Sequence, residues 1–245
     1  MEAAERLIVA LDVPNGDEAV DLVDLLRGHV GAFKVGLQLY TAEGPEIVYS
    51  IASRGERVFL DLKLHDIPNT MAGAAAAATK LGVWMLTVHV AAGEAALCAV
   101  RSAVAEEAEA EGHPAPLIVG VTVLTSIDAD TMASCIAPGS PFTLEELVTE
   151  RAEVAARCGL DGVVASPLDV ARIRQALGDR LTIVTPGVRP AGADALDQKR
   201  PATPSSAISA GASYLVVGRP ITRASDPRGV ADAIAREIDD ALEAK

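Results

Sequence analysis

Val58-Phe59-Leu60-Asp61-Leu62-Lys63-Leu64-His65-Asp66-Ile67-Pro68-Asn69-Thr70 opens the unit whose reading settles the fold. A short apolar run, Val58–Leu62, gives way to polar residues and a proline. The spacing then predicts a helix over Thr70–Leu81, and the next apolar run, Trp84–Val88, follows at once. Strand, helix, strand is the unit of a parallel sheet, and a near-continuous apolar strand is what a sheet buried on both faces requires.

Working outward, the same alternation fills the chain. Leu7–Leu11 precedes a helical stripe that begins near Asp17 and carries Val20, Leu22, Val23, Leu25 and Leu26. Ala32–Val35 precedes Pro45–Ser53, Trp84–Val88 precedes Glu94–Glu111, and Leu117–Val123 precedes Leu144–Cys158. Gly162–Ala165 pairs with Leu168–Leu177, Thr182–Thr185 with Pro204–Ala210, and Tyr214–Val217 with Gly229–Leu242. About eight strand–helix units in 245 residues predict one closed (β/α)₈ TIM barrel over residues 1–245. An open doubly wound sheet alternates in the same way, but Leu11-Asp12-Val13-Pro14 stands where its dinucleotide-binding form has G-x-G-x-x-G. Ala74–Ala78 reads as close helix packing. The long connections Ser126–Phe142 and Arg189–Thr203 read as lids or binding loops.

Composition narrows the function. Half the residues are hydrophobic, 22% are charged, and mean hydropathy is +0.28, enough apolar material for a core and too much for a disordered chain. A net charge of −13 and 3% aromatic residues argue against a nucleic-acid binder. An anionic ligand must therefore be held by a few local cations. Cys98, Cys135 and Cys158 form no Cys-x-x-Cys pair, so a reducing cytoplasm is the expected compartment. Leu7–Leu11 is too short for a signal peptide, and Val83–Val100 is interrupted by His89, Gly93 and Glu94, which predicts no membrane span.

In such a barrel the chemistry lies at the C-terminal ends of the strands. The polar residues there are Asp12, Lys34, Asp61, Lys63, His89, Thr125, Ser166, Arg189 and Arg219. Asp61 and Lys63, two apart on a strand, share one face, with Leu60, Leu62 and Leu64 on the other. A lone Asp-x-Lys is most simply an ion pair at the barrel mouth. Asp66, the following Ile67-Pro68 and the separate Lys34 change that, because two acids and two bases make a neutral set that buried charges require. An ammonium held between carboxylates can stabilise a nearby carbanion and deliver its proton.

Thr185-Pro186-Gly187-Val188-Arg189 and Val216-Val217-Gly218-Arg219-Pro220 end the last two strands, where barrel enzymes often hold phosphate. Either turn alone reads equally as a helix entry; together they predict a phosphate site, the arginines supplying permanent bidentate charge. His29 and His113 read as surface residues, and His89 as a strand-end histidine satisfied by hydrogen bonds. No metal is expected: no histidine–cysteine cluster occurs, and Lys63 would compete with magnesium for Asp61 and Asp66.

These motifs, in this order from Leu7 to about Asp226, resemble the orotidine 5′-phosphate decarboxylase family, and Phe59–Thr70 is its most specific signature. The resemblance implies decarboxylation of orotidine 5′-phosphate to uridine 5′-phosphate, the last step of pyrimidine nucleotide synthesis, with no cofactor. It implies Lys63 as proton donor within a network of Lys34, Asp61 and Asp66. It further implies Asp12 on the ribose and Thr125, or its neighbour Ser126, on the pyrimidine edge. Pro186, Arg189, Gly218 and Arg219 would lie at the phosphate end, and Gln198 would reach in from the lid. A homodimer is implied as well, with Asp66, Ile67 and Thr70 entering the neighbouring site. Two alternatives stay open: a related magnesium-dependent sugar-phosphate barrel, such as a hexulose-phosphate synthase or keto-gulonate-phosphate decarboxylase, and a non-catalytic nucleotide-phosphate binder.

Overall fold

The computed structural model describes residues 2–136, 139, 141–189 and 202–244. Eight strands close on themselves in sequence order: β1 (Leu7–Ala10), β2 (Ala32–Gly36), β3 (Val58–Leu64), β4 (Met85–His89), β5 (Leu117–Val121), β6 (Gly162–Val164), β7 (Thr182–Pro186) and β8 (Tyr214–Val217). Every pairing is parallel, and β1 closes the ring on β8 through Leu7↔Leu215, Ile8↔Val216 and Val9↔Val217. The expected TIM barrel is therefore present.

The two-residue period of each strand sorts its side chains into two cores. Ile8, Ala10, Ala32, Phe59, Met85, Val119, Val184 and Val216 fill the inside of the ring. Leu7, Val9, Phe33, Leu60, Leu86, Ile183 and Leu215 point outward and are covered by the helices. At the N-terminal end of the barrel Trp84 and Tyr214 meet edge to face at 5.3 Å, with Arg57 stacked over Trp84.

Helices begin where the loops supply oxygen caps for orphan amides. Asn15 accepts from Glu18 N ahead of the helix Gly16–Leu26, and Asp226 accepts from Gly229 N ahead of Pro227–Glu243. Thr143 and Glu146 form a reciprocal capping box at the start of Leu144–Arg157. The helices Pro68–Lys80, Glu94–Glu111, Val170–Leu177 and Pro204–Ala210 fall where the periodicity predicts them. Helices that the periodicity does not predict include Leu37–Glu43, directly after β2, Ala129–Thr131, within the long connection after β5, and Arg219–Thr222, directly after β8. Among the described residues no helix is long and apolar enough to cross a membrane.

Candidate active site

Following the inward-facing positions toward the C-terminal ends of the strands, the apolar filling gives way to charge. Lys34 stands two residues beyond Ala32, Asp61 two beyond Phe59 and Thr87 two beyond Met85, so all three point into the top of the ring. Lys34 and Asp61 are 9% and 8% exposed, and so would be costly to bury unpaired. They are paired. Lys34 Nζ donates to Asp12 Oδ1 at 3.1 Å and lies 3.5 Å from Asp61 Oδ2. Lys63 Nζ donates to the same Asp61 oxygen at 2.8 Å. The result is an alternating chain Asp12–Lys34–Asp61–Lys63 with no net charge.

The chain includes Asp12 where the sequence suggested Asp66. Asp66 is exposed and its Oδ1 accepts from Ile67 N at 2.6 Å, so within one protomer it stands outside the network. Asp12 replaces it because β1 and β2 pair in a register that sets Ala10 beside Lys34. Gly36 leaves the space this needs: a Cβ there would come within 2.8 Å of Lys34 Nζ and 3.3 Å of Asp12 Oδ1.

Lys63 reaches Asp61 by a route the alternating pattern did not anticipate. Its φ is +54°, the left-handed region a side chain rarely adopts, and the pairing of β3 with β4 shifts register between Leu60 and Leu64. Thr87 holds this kink. Its hydroxyl accepts from Lys63 N at 2.8 Å and donates to Asp61 Oδ1 at 3.1 Å. Backbone strain at Lys63 is thus anchored to the carboxylate that holds its ammonium. Leu60, Leu62 and Leu64 still line one outward cleft against the helix Pro68–Lys80.

Burial raises the pKa of Asp61, but Lys34, Lys63 and the Lys63 and Thr87 hydrogen bonds outweigh it and hold the carboxyl below its usual value. His89, in β4, is pushed down to about 4 by burial and by the charges of His65, Lys63 and Arg151, with Asp61 opposing. Its ring lies 5.0 Å from that of His65. The site therefore keeps an ionised Asp61 carboxylate beside a neutral His89 imidazole at neutral pH.

Next to the network lies a cavity of about 360 Å³, within the size range of small-molecule sites. Asp12, Lys34, Pro186, Arg189, Gly218 and Arg219, all singled out in the sequence, line it. Gly187, with φ +79°, turns the chain after β7 in a conformation suited to glycine, and Arg189 is 7% exposed. Gln38 and Arg223 also face this cavity and were missed. Arg223 lies one helical turn after Arg219, a spacing that could have flagged it.

The remaining candidates are placed elsewhere. Lys63, Asp66 and Thr70 border a second depression of about 320 Å³, and Ile67 beside it is 66% exposed. Thr125 lines neither space; with Ser166 and Asp169 it borders a recess of only about 10 Å³. Gln198 lies outside the described residues. Among the described residues no three His, Cys, Asp or Glu side chains gather as a metal site.

A closed (β/α)₈ ring with a chain of lysine–aspartate contacts at its C-terminal mouth, beside a cavity edged by arginines, has the architecture of a barrel enzyme. The sequence model of the Orotidine 5′-phosphate decarboxylase / HUMPS family matches residues 5–234. The chain belongs to that family. It is 54% identical over 239 residues to an orotidine 5′-phosphate decarboxylase of Moorella thermoacetica, covering 98% of this chain and 94% of that one. A relative of the same name from Syntrophotalea carbinolica is 49% identical over 243 residues, covering 99% and 98%. Among solved structures, the orotidine 5′-phosphate decarboxylase of Lactobacillus acidophilus superposes with a TM-score of 0.84 at 36% identity, covering 95% of this chain and 98% of that one.

Proposed function

We propose that this protein decarboxylates orotidine 5′-phosphate to uridine 5′-phosphate and carbon dioxide, the closing step of pyrimidine nucleotide synthesis, without a cofactor. The observation that carries the reading is the Asp12–Lys34–Asp61–Lys63 chain, with Lys63 Nζ 2.8 Å from Asp61 at the strand ends. Breaking the ring-to-carboxylate bond leaves the electron pair on the ring carbon, in the ring plane, where resonance stabilises it poorly. A fixed ammonium beside that carbon stabilises the charge electrostatically and supplies the proton. Lys63 is the donor, recharged from water, while Asp61 holds its ammonium in place and Lys34 braces Asp61 from the other side.

Binding energy comes from the other end of the cavity. Arg189 and Arg219 take the phosphate with Pro186 and Gly218 against it, and Asp12 takes the ribose. Thr125 reads the pyrimidine edge, which requires its loop to move inward from the recess it now borders. Gln198 completes the lid between phosphate and base. The working unit is a cytoplasmic homodimer of single-domain barrels, each lending Asp66, Ile67 and Thr70 to the other's site. The exposure of all three on one protomer supports this.

The test is the loss of orotidine 5′-phosphate absorbance with and without a chelator. Turnover that persists under chelation fits this reading; no turnover, or turnover restored only by magnesium, favours the sugar-phosphate alternative. Mixing inactive Lys63→Ala with inactive Asp66→Asn tests the shared site. Hybrid dimers should recover part of the activity, and no recovery after proven subunit exchange would contradict sharing.

A further inference from the structure

Away from the strand ends, two thiols meet that the reaction does not use. The helix Glu94–Glu111 and the turn after the helix Leu144–Arg157 run side by side and touch at successive levels. Arg157 Nη2 donates to Glu94 Oε1 at 3.1 Å. The Arg101 side chain covers Gly159 so closely that a Cβ there would lie 3.1 Å from its Nε, and Arg101 Nη1 stands 3.9 Å from Asp161 Oδ1. Glu94, Cys98 and Arg101, spaced four and three apart, share one helix face. Cys158 sits between Arg157 and Gly159 on the facing turn, so this register sets Cys98 opposite Cys158.

We propose that Cys98 and Cys158 form a dithiol–disulfide couple, a redox-modification site whose co-reactant is a low-molecular-weight disulfide. Cys98 is exposed and Cys158 is buried, which sets the order of events. Burial and the adjacent Cys98 push the Cys158 thiol up to about 11, so it is the poorer first nucleophile. The Cys98 thiolate attacks one sulfur of the small disulfide, whose S–S bond breaks and releases one thiolate. Cys158 then gives its proton to solvent, attacks Cys98 Sγ and expels the second thiolate. The protein loses two protons and two electrons, and the small disulfide becomes two thiols. Because the two thiols face each other across this contact, the second step competes well against an external thiol.

The cross-link closes residues 99–157 into a loop and so restricts the unfolded chain. The residues in contact around it, Glu94, Arg101, Arg157 and Asp161, are none of those in the Asp12–Lys34–Asp61–Lys63 chain, and turnover should not change. The experiment treats the full-length protein with oxidised glutathione, traps free thiols with iodoacetamide, and reads peptide masses and Tm. Wild type should yield a Cys98–Cys158 cross-linked peptide and a Tm raised by about 5–10 °C, both reversed by dithiothreitol. Cys158→Ser should stop at a glutathione adduct on Cys98 with no such rise, and Cys135→Ser should behave as wild type. The proposal is overturned if wild type also stops at the Cys98 adduct, if it stays fully reduced, or if the cross-link requires Cys135.

Discussion

Replacing Asp61 with asparagine removes the one negative charge that two ammonium groups share while keeping nearly the same shape. Lys34 and Lys63 approach the same Oδ2, at 3.5 and 2.8 Å, and the Lys34 side chain is 11% exposed. With the carboxylate neutralised, the ammonium groups face each other across at most about 6 Å, where like charges cost about 3 kcal/mol at an effective dielectric near 20. Asp12 still partners Lys34, and the Lys63 side chain, 30% exposed, is screened by water, which lowers the cost. The weakened charge-assisted bonds add about 1–2 kcal/mol. Asp61→Asn should therefore lose about 2–4 kcal/mol of stability, seen as a fall of about 5–12 °C in Tm by calorimetry at pH 7. Because folding lowers the Asp61 pKa, its contribution is present above about pH 4 and is lost as pH falls through the folded-state value, so the variant and wild type should converge in acid. A variant within 1 kcal/mol of wild type at pH 7, or a gap that persists in acid, would refute the reasoning.

Three further outcomes follow from the same geometry. Thr87→Val leaves Lys63 N and Asp61 Oδ1 without their shared partner and should cost about 1–3 kcal/mol in urea unfolding, with kcat falling more than KM rises. His89 stays neutral when folded down to about pH 4 but titrates near 6.5 when unfolded, so stability should fall as pH drops between those values. His89→Asn should remove about 1–2 kcal/mol of that decline, measured as Tm against pH. Arg219→Ala should raise KM for orotidine 5′-phosphate by about 10–100-fold while leaving the slow reaction of phosphate-free orotidine unchanged, because only the phosphate contact is lost.

The architecture was legible because parallel strands buried on both faces write themselves as apolar runs, and helices as 3.6-residue stripes. Leu37–Glu43 escaped because Leu37-Gln38-Leu39-Tyr40 continues the apolar run of β2 with only Gly36 to mark the break. Within the site, Asp61, Lys63 and Lys34 could be read from strand periodicity, and Arg189 and Arg219 from their place after β7 and β8. What could not be read was register. Only the pairing of Ala10 with Lys34 shows that Asp12, rather than Asp66, completes the charge balance within one chain. The positive φ of Lys63 is likewise invisible in Asp-Leu-Lys, because it depends on a hydroxyl from β4, 24 residues away in sequence.

The proposed decarboxylation depends most directly on Lys63. Decarboxylation of orotidine 5′-phosphate should be followed in parallel for wild type and Lys63→Ala, with folding of the variant verified by circular dichroism. Loss of both the ammonium and its proton predicts a fall in kcat/KM of at least about 10⁴-fold. Turnover of the variant within tenfold of wild type would contradict it.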